Sequence, residues 1–108
     1  MSTETQSGSD VSDTETMTIR EAIRLALREE LARDEDTFIM GEDVGEFGGV
    51  LSVTGDLVEE FGEKRVRDTP ISEAGFMGAG VGAAATGMRP IVEIMFSDFL
   101  GVCSEQIL

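Results

Sequence analysis

Apolar positions along this chain change their period several times, and each change marks an element. From residue 19, Ala22, Ile23, Ala26, Leu27 and Leu31 recur at three- and four-residue intervals, which predicts an amphipathic helix over 19–33. Thr18 and Glu21 stand three apart at its start, the spacing of a reciprocal capping box. The opposite face carries Arg20, Arg24, Arg28, Glu29 and Arg33, read as solvated with room for ion pairs. Thr37-Phe38-Ile39-Met40 is a short apolar run closed by Gly41, the pattern of a buried strand. A glycine-bearing loop, 45–49, leads to a second predicted helix at about 55–61, with Gly62 as its C-cap. The brief strand predicted at 65–68 must end before Pro70, because proline fixes its own φ and biases Thr69 towards extended geometry. A third helix starts at Glu73 with Ser72 as N-cap and stops at Gly87. Pro90 opens a third strand, 91–95, and 100–108 reads as the beginning of a further amphipathic helix. Helices and strands alternate, so the predicted fold class is α/β with a parallel sheet flanked by helices.

Residues 1–16 are polar apart from Met1 and one valine and cannot bury a core, which predicts a disordered acidic leader ahead of an ordered unit, 17–108. The apolar Ile107 and Leu108 end a helical pattern that nothing later covers, so 17–108 is expected to be part of a domain rather than a finished one. Net charge is −14, from 22 acidic and 8 basic residues. Nucleic acid and anionic membrane both need a positive footprint, so neither is expected as a partner. The basic residues are seven arginines and Lys64 alone. An acidic, lysine-poor surface fits a cytoplasm at high salt, where screening relieves self-repulsion, and a halophilic origin is the expectation. The leader contributes only Glu4, Asp10, Asp13 and Glu15, so an acidic tail alone does not explain the excess. Cys103 is the single cysteine and there is no histidine, which leaves no internal disulfide and no zinc ligand set. Cys103 reads as a small buried hydrophobe. No apolar run reaches membrane-spanning length and no secretory pattern opens the chain, so a cytoplasmic location is expected.

The candidate chemistry lies in Asp68-Thr69-Pro70-Ile71-Ser72-Glu73 and the small-residue helix behind it. Glu73 falls in the first helical turn, near free backbone N–H groups. A surface carboxylate that merely complements the helix dipole is the plain alternative. Against it stand Gly75, Gly78, Gly80 and Gly82, each costing roughly 0.5–1 kcal/mol relative to alanine in a helix interior. A helix that keeps them is expected to approach a neighbour or a ligand closely. Glu42 lies just past the first strand, at the carboxyl end where ligands gather in open parallel sheets. A strand-end carboxylate in water is its plain alternative.

These residues carry a resemblance. The Asp68–Glu73 segment, Met17-Thr18-Ile19-Arg20-Glu21-Ala22, Gly41-Glu42-Asp43-Val44, Gly87-Met88-Arg89-Pro90-Ile91-Val92-Glu93 and the stretch from Met95 to Phe99 occur in order at family-like spacing. Over about 17–108 the chain resembles the beta subunit of the decarboxylating component of 2-oxoacid dehydrogenase complexes, of pyruvate or branched-chain type. That resemblance implies a thiamine-diphosphate-binding fold, here the first part of its transketolase-like pyrimidine-binding domain. It implies oxidative decarboxylation of a 2-oxoacid, with acyl transfer to a lipoyl carrier.

The cofactor must ionise its thiazolium C2 and uses its own aminopyrimidine once N1′ is protonated. The family places a carboxylic acid against N1′ in a water-poor cleft, where burial favours the neutral acid. By motif position that catalytic acid is Glu73. Glu42 matches a glutamate near the cofactor and in the acidic passage between paired sites. Met95 and Phe99 match positions packed on the aminopyrimidine, although a Met and a Phe four apart are ordinarily core. Mg²⁺ and the diphosphate are held in this family by a Gly-Asp-Gly…Asn segment of the alpha subunit. This chain has no such segment, and no metal ligand is assigned to it. The family's beta-subunit histidine would lie beyond residue 108, so the chain is expected to supply half a cofactor site. The implied assembly is an α2β2 heterotetramer serving a lipoyl-bearing acyltransferase core. Three alternatives stay open: a transketolase-like or acetoin-cleaving thiamine enzyme, a non-catalytic remnant or assembly module that binds the alpha subunit, and a generic acidic α/β domain.

Overall fold

A computed structural model describes residues 16–45, 47–49 and 52–108. The predicted leader, apart from Thr16, and Glu46 of the predicted glycine loop lie outside the described residues. The elements run α1 (Ile19–Arg33), β1 (Thr37–Gly41), α2 (Leu57–Phe61), β2 (Val66–Asp68), α3 (Glu73–Ala85), β3 (Arg89–Glu93), the 3₁₀ helix η1 (Ser97–Cys103) and α4 (Ser104–Ile107). The alternation expected from the apolar pattern is therefore present. The sheet is parallel with strand order β2-β1-β3.

Every residue of β1 is buried, as a central parallel strand requires when both faces are covered. Its period-two geometry divides the core between those faces. Ile39 joins Leu31, Val44, Leu57 and Val66, backed by Leu27, Val58, Phe61 and Ile91, under α1 and α2. Phe38 and Met40 point the other way and meet Phe76 of α3, backed by Ala83, Val92 and Ile94. The glycines of α3 have unequal reasons. A β-carbon at Gly80 would lie 2.7 Å from Val92 Cγ2, and one at Gly78 would lie 2.8 Å from Gln106 Oε1, so these two do set close approaches to β3 and α4. A β-carbon at Gly82 would meet nothing, so the expected close approach is absent there among the described residues.

The capping box at Thr18 and Glu21 forms in both directions, with bonds of 3.0 and 3.1 Å. Several other expectations are corrected. Arg24 is not simply solvated: its guanidinium donates to the Val53 and Ser52 carbonyls and ties α1 to the loop before α2. Only the C-terminal part of the apolar face of α1 is covered, since Ile19 is 80% and Ile23 43% exposed. Ser72 stands at the N-cap position of α3, but its side chain makes no capping bond; its carbonyl instead accepts from Phe76 N at 3.0 Å. The third strand starts at Arg89 and ends at Glu93, short of Met95, because β1 stops at Gly41, the register partner of Glu93. The final segment opens as a 3₁₀ helix and becomes α-helical only at Ser104. Cys103 is fully buried, as expected of a small hydrophobe.

Candidate functional site

The carboxyl ends of β1 and β2 and the start of α3 meet at one edge of the sheet. Thr69 N donates to Gly41 O at 3.0 Å, which carries the β1–β2 ladder one rung past the strands and fixes the exit of the Thr69-Pro70-Ile71-Ser72 turn. That turn delivers Glu73 as the first residue of α3. On β1 the chain turns sharply after Glu42, with Asp43 in the left-handed region at φ 59°. Non-glycine residues seldom adopt this conformation, and aspartate is among those that tolerate it. The following loop is held by Asp68 Oδ1, which accepts from Gly45 N at 2.6 Å, and by Thr54 Oγ1, which donates to Val44 O at 2.7 Å. Asp68 thus acts as a loop anchor, a role its place in the motif does not reveal.

Glu42 is 6% exposed, and its Oε2 has no hydrogen-bond partner among the described residues. Burial pushes its carboxyl above the usual carboxylate range, and the Glu73 carboxyl beside it, then Asp43, push in the same direction. A second carboxylate beside a buried one disfavours the ionised form of Glu42, so its carboxyl keeps its proton to higher pH than a free glutamate. A protonated Glu42 can donate a hydrogen bond where a carboxylate can only accept. Glu93, at the end of β3 and half-buried, is also raised by burial. Its backbone oxygen and Cβ would lie within 3.1 Å of a β-carbon at Gly41.

Of the four residues expected in the site, Glu42 and Glu73 are brought together. Met95 is half-buried just beyond β3, in the segment leading to η1. Phe99 lies in η1, 41% exposed, with its ring edge-on to Phe96 at 6.1 Å between centroids. Ile71, in the turn before Glu73, is 86% exposed. This edge therefore brings two carboxyl groups side by side, with exposed Ile71 in the turn before the second of them. Two members went unseen in the sequence, Glu93 and Thr69, whose buried Oγ1 also lacks a partner among the described residues. The register of Gly41 with Glu93 and the backbone bond from Thr69 to Gly41 are what place them here.

A folded carboxyl that is raised relative to the unfolded chain binds its proton over a wider pH range in the native state. The native state is then favoured below the ordinary carboxylate range and loses that advantage as pH rises through the raised folded value. Glu42→Gln, which stays neutral, is expected to raise the melting temperature at pH 8 and to flatten its decline between pH 5 and 8. A variant that melts below the parent at pH 8 would contradict the buried-acid assignment.

Comparison with known proteins adds the family. The family described as transketolase, pyrimidine binding domain, matches residues 15–108. The chain is 55% identical over 93 residues to the pyruvate dehydrogenase E1 component subunit beta of Rhizobium meliloti (strain 1021), covering 86% of the chain and 20% of that protein. It is 50% identical over 102 residues to the acetoin:2,6-dichlorophenolindophenol oxidoreductase subunit beta of Bacillus subtilis (strain 168), covering 83% of the chain and 29% of that protein. It is 50% identical over 92 residues to the 2-oxoisovalerate dehydrogenase subunit beta of the same strain, covering 85% of the chain and 28% of that protein. The chain thus spans less than a third of the length of these relatives. No helix among the described residues is long and apolar enough to cross a membrane.

Proposed function

We propose, since the chain belongs to the transketolase pyrimidine-binding domain family, that it is part of the beta subunit of a thiamine-diphosphate-dependent 2-oxoacid dehydrogenase. The observation that carries this reading is the buried Glu42 carboxyl with Glu73 beside it at the strand ends, in a chain half identical or better to the beta subunits of a pyruvate dehydrogenase and a 2-oxoisovalerate dehydrogenase. The cofactor, when bound, supplies a nucleophilic carbon for the 2-oxo group and a sink for the electrons left as CO₂ departs. This chain's part is to bind one ring and manage one proton. Glu73 would present its carboxyl to N1′ of the aminopyrimidine, with the raised Glu42 carboxyl standing beside it. Phe99 and Met95 supply the apolar wall on which the ring packs, with stacking on the order of 1 kcal/mol beyond burial. Mg²⁺ and the diphosphate are assigned to the alpha subunit, and the working unit to an α2β2 assembly that passes its acyl group to a lipoyl-bearing core.

The three relatives have names that differ in substrate, and the chain is about equally similar to each. An acetoin-cleaving enzyme therefore stands as the second reading, supported by its 50% identity. Reconstitution of the full-length subunit with its alpha partner decides between them. Turnover of pyruvate or of 2-oxoisovalerate supports the principal reading; turnover of acetoin alone replaces it.

A halophilic, cytoplasmic setting is part of the proposal, resting on the net charge of −14. The full-length protein is expected to melt at a higher temperature in ~3 M than in ~0.1 M KCl, because the Debye length falls from about 10 Å at the lower salt to below 3 Å at the higher. A melting temperature that is unchanged or lower at high salt would remove the halophilic reading.

A further inference from the structure

Two buried side-chain oxygens lack a hydrogen-bond partner among the described residues, Glu42 Oε2 and Thr69 Oγ1, and both lie at the same edge of the sheet. The bond from Thr69 N to Gly41 O places Thr69 on the rung beside Glu42, at the ends of β2 and β1. Glu73 lies beside the Glu42 carboxyl but does nothing for the threonine hydroxyl. Among the described residues neither Glu42 nor a backbone group of the turn engages that hydroxyl. Buried polar groups left without a protein partner on neighbouring rungs are commonly satisfied by an ordered water that makes about three hydrogen bonds.

We infer that Thr69 is a positioning residue for the Glu42–Glu73 carboxyl pair, its hydroxyl and Glu42 Oε2 together seating one ordered water between the ends of β1 and β2. The inference deepens the proposed function and rests on its reading of the pair. The water donates one hydrogen to Glu42 Oε2 and accepts the hydrogen of Thr69 Oγ1, so no bond is made or broken and no proton leaves the site. Its bond is stronger to a carboxylate than to a neutral acid, so it opposes the effect of burial on Glu42. Glu73 from α3 and Asp43 on its own turn act on Glu42, while Glu93 of β3 lies against Gly41 and Asp68 of β2 holds Gly45. All are acids. The nearby cation of β2, Arg67, is turned to the Phe38 ring and to Lys64 O.

The test uses the full-length subunit assembled with its partner and free of cofactor. Infrared titration follows the protonated-carboxyl band, assigned to Glu42 by its loss in Glu42→Gln. Thr69→Val keeps the shape of the side chain and removes the hydroxyl. It is expected to raise the midpoint by about one pH unit, as the loss of one hydrogen bond to the ionised form would. Thr69→Ser should restore the parent midpoint. A high-resolution structure of the parent assembly should show a water within hydrogen-bond distance of both oxygens. A Thr69→Val midpoint equal to the parent's, a serine variant that behaves like valine, or a structure with no such water overturns the inference. If Thr69→Val does not fold, the serine titration and the structure still decide. Since no cofactor is present, these outcomes are separate from the test of Glu73 as the acid on N1′.

Discussion

Glu73→Gln in the assembled full-length protein is expected to slow exchange of the C2 hydrogen of bound thiamine diphosphate by ~10²–10⁴-fold, the span typical of general acid–base catalysis. Glutamine has nearly the shape of glutamate, so the half-buried first turn of α3 should pack as before. It can still donate a hydrogen bond to a ring nitrogen but has no proton to transfer. Cofactor affinity should therefore fall far less, by no more than the ~1.5–3 kcal/mol of a charge-assisted hydrogen bond. The separation between a small loss of binding and a large loss of exchange is the signature of a residue that acts through its proton. Glu42→Gln removes the neighbour and leaves the acid on Glu73, so its effect on exchange should be smaller. Exchange at near the parent rate in a cofactor-bound Glu73→Gln protein would reduce Glu73 to a carboxylate at a helix start.

The largest stability effect is expected at Arg65. Its guanidinium donates to Leu31 O at 2.7 Å, to Asp34 O at 2.9 Å and to Thr37 O at 2.9 and 3.1 Å, and it lies 5.6 Å from the centroid of the Phe61 ring. One side chain thus satisfies carbonyls at the end of α1, in the following turn and at the start of β1. Hydrogen bonds from a charged donor contribute roughly 1.5–3 kcal/mol each and do not simply add, so Arg65→Ala is expected to cost ~3 kcal/mol or more in urea unfolding of the full-length protein. Arg65→Lys should recover less than half of that, because an ammonium is a point donor and cannot span three carbonyls as a planar fork does. A loss within the ±0.5 kcal/mol typical of surface substitutions would show that water serves these carbonyls equally well.

The elements that could be read from the sequence are those whose signals are local. The capping box of α1, the all-apolar β1 and the stop at Gly62, whose φ is 91°, each follow from a few adjacent residues. The errors arise where pairing decides the outcome. The third strand is displaced towards Arg89 because Arg89 N bonds Asp36 O and because its partner strand ends at Gly41. Pro90 is accommodated within it because β3 is an edge strand of the described sheet. A short apolar pattern does not separate a 3.0 from a 3.6 period, so the 3₁₀ start of the last segment was hidden. In the site, Glu42 and Glu73 were legible because a carboxylate beside a strand end or a proline-locked turn stands out. Thr69 and Glu93 were not, since a threonine and a strand glutamate carry no such mark until the register brings them alongside Gly41. Likewise, only the fold shows that Arg24 binds a loop while Arg28, one turn on, pairs with Glu60 at 2.8 Å.

The most direct measurement is a structure of the assembled full-length protein with thiamine diphosphate bound. The account predicts a Glu73 carboxyl oxygen within ~2.6–3.2 Å of N1′ of the aminopyrimidine, the reach required of an acid that transfers its proton. It also predicts Glu42 against the far side of that carboxyl and the Phe99 ring against the pyrimidine. An aminopyrimidine seated elsewhere, with Glu73 turned to water, would contradict it.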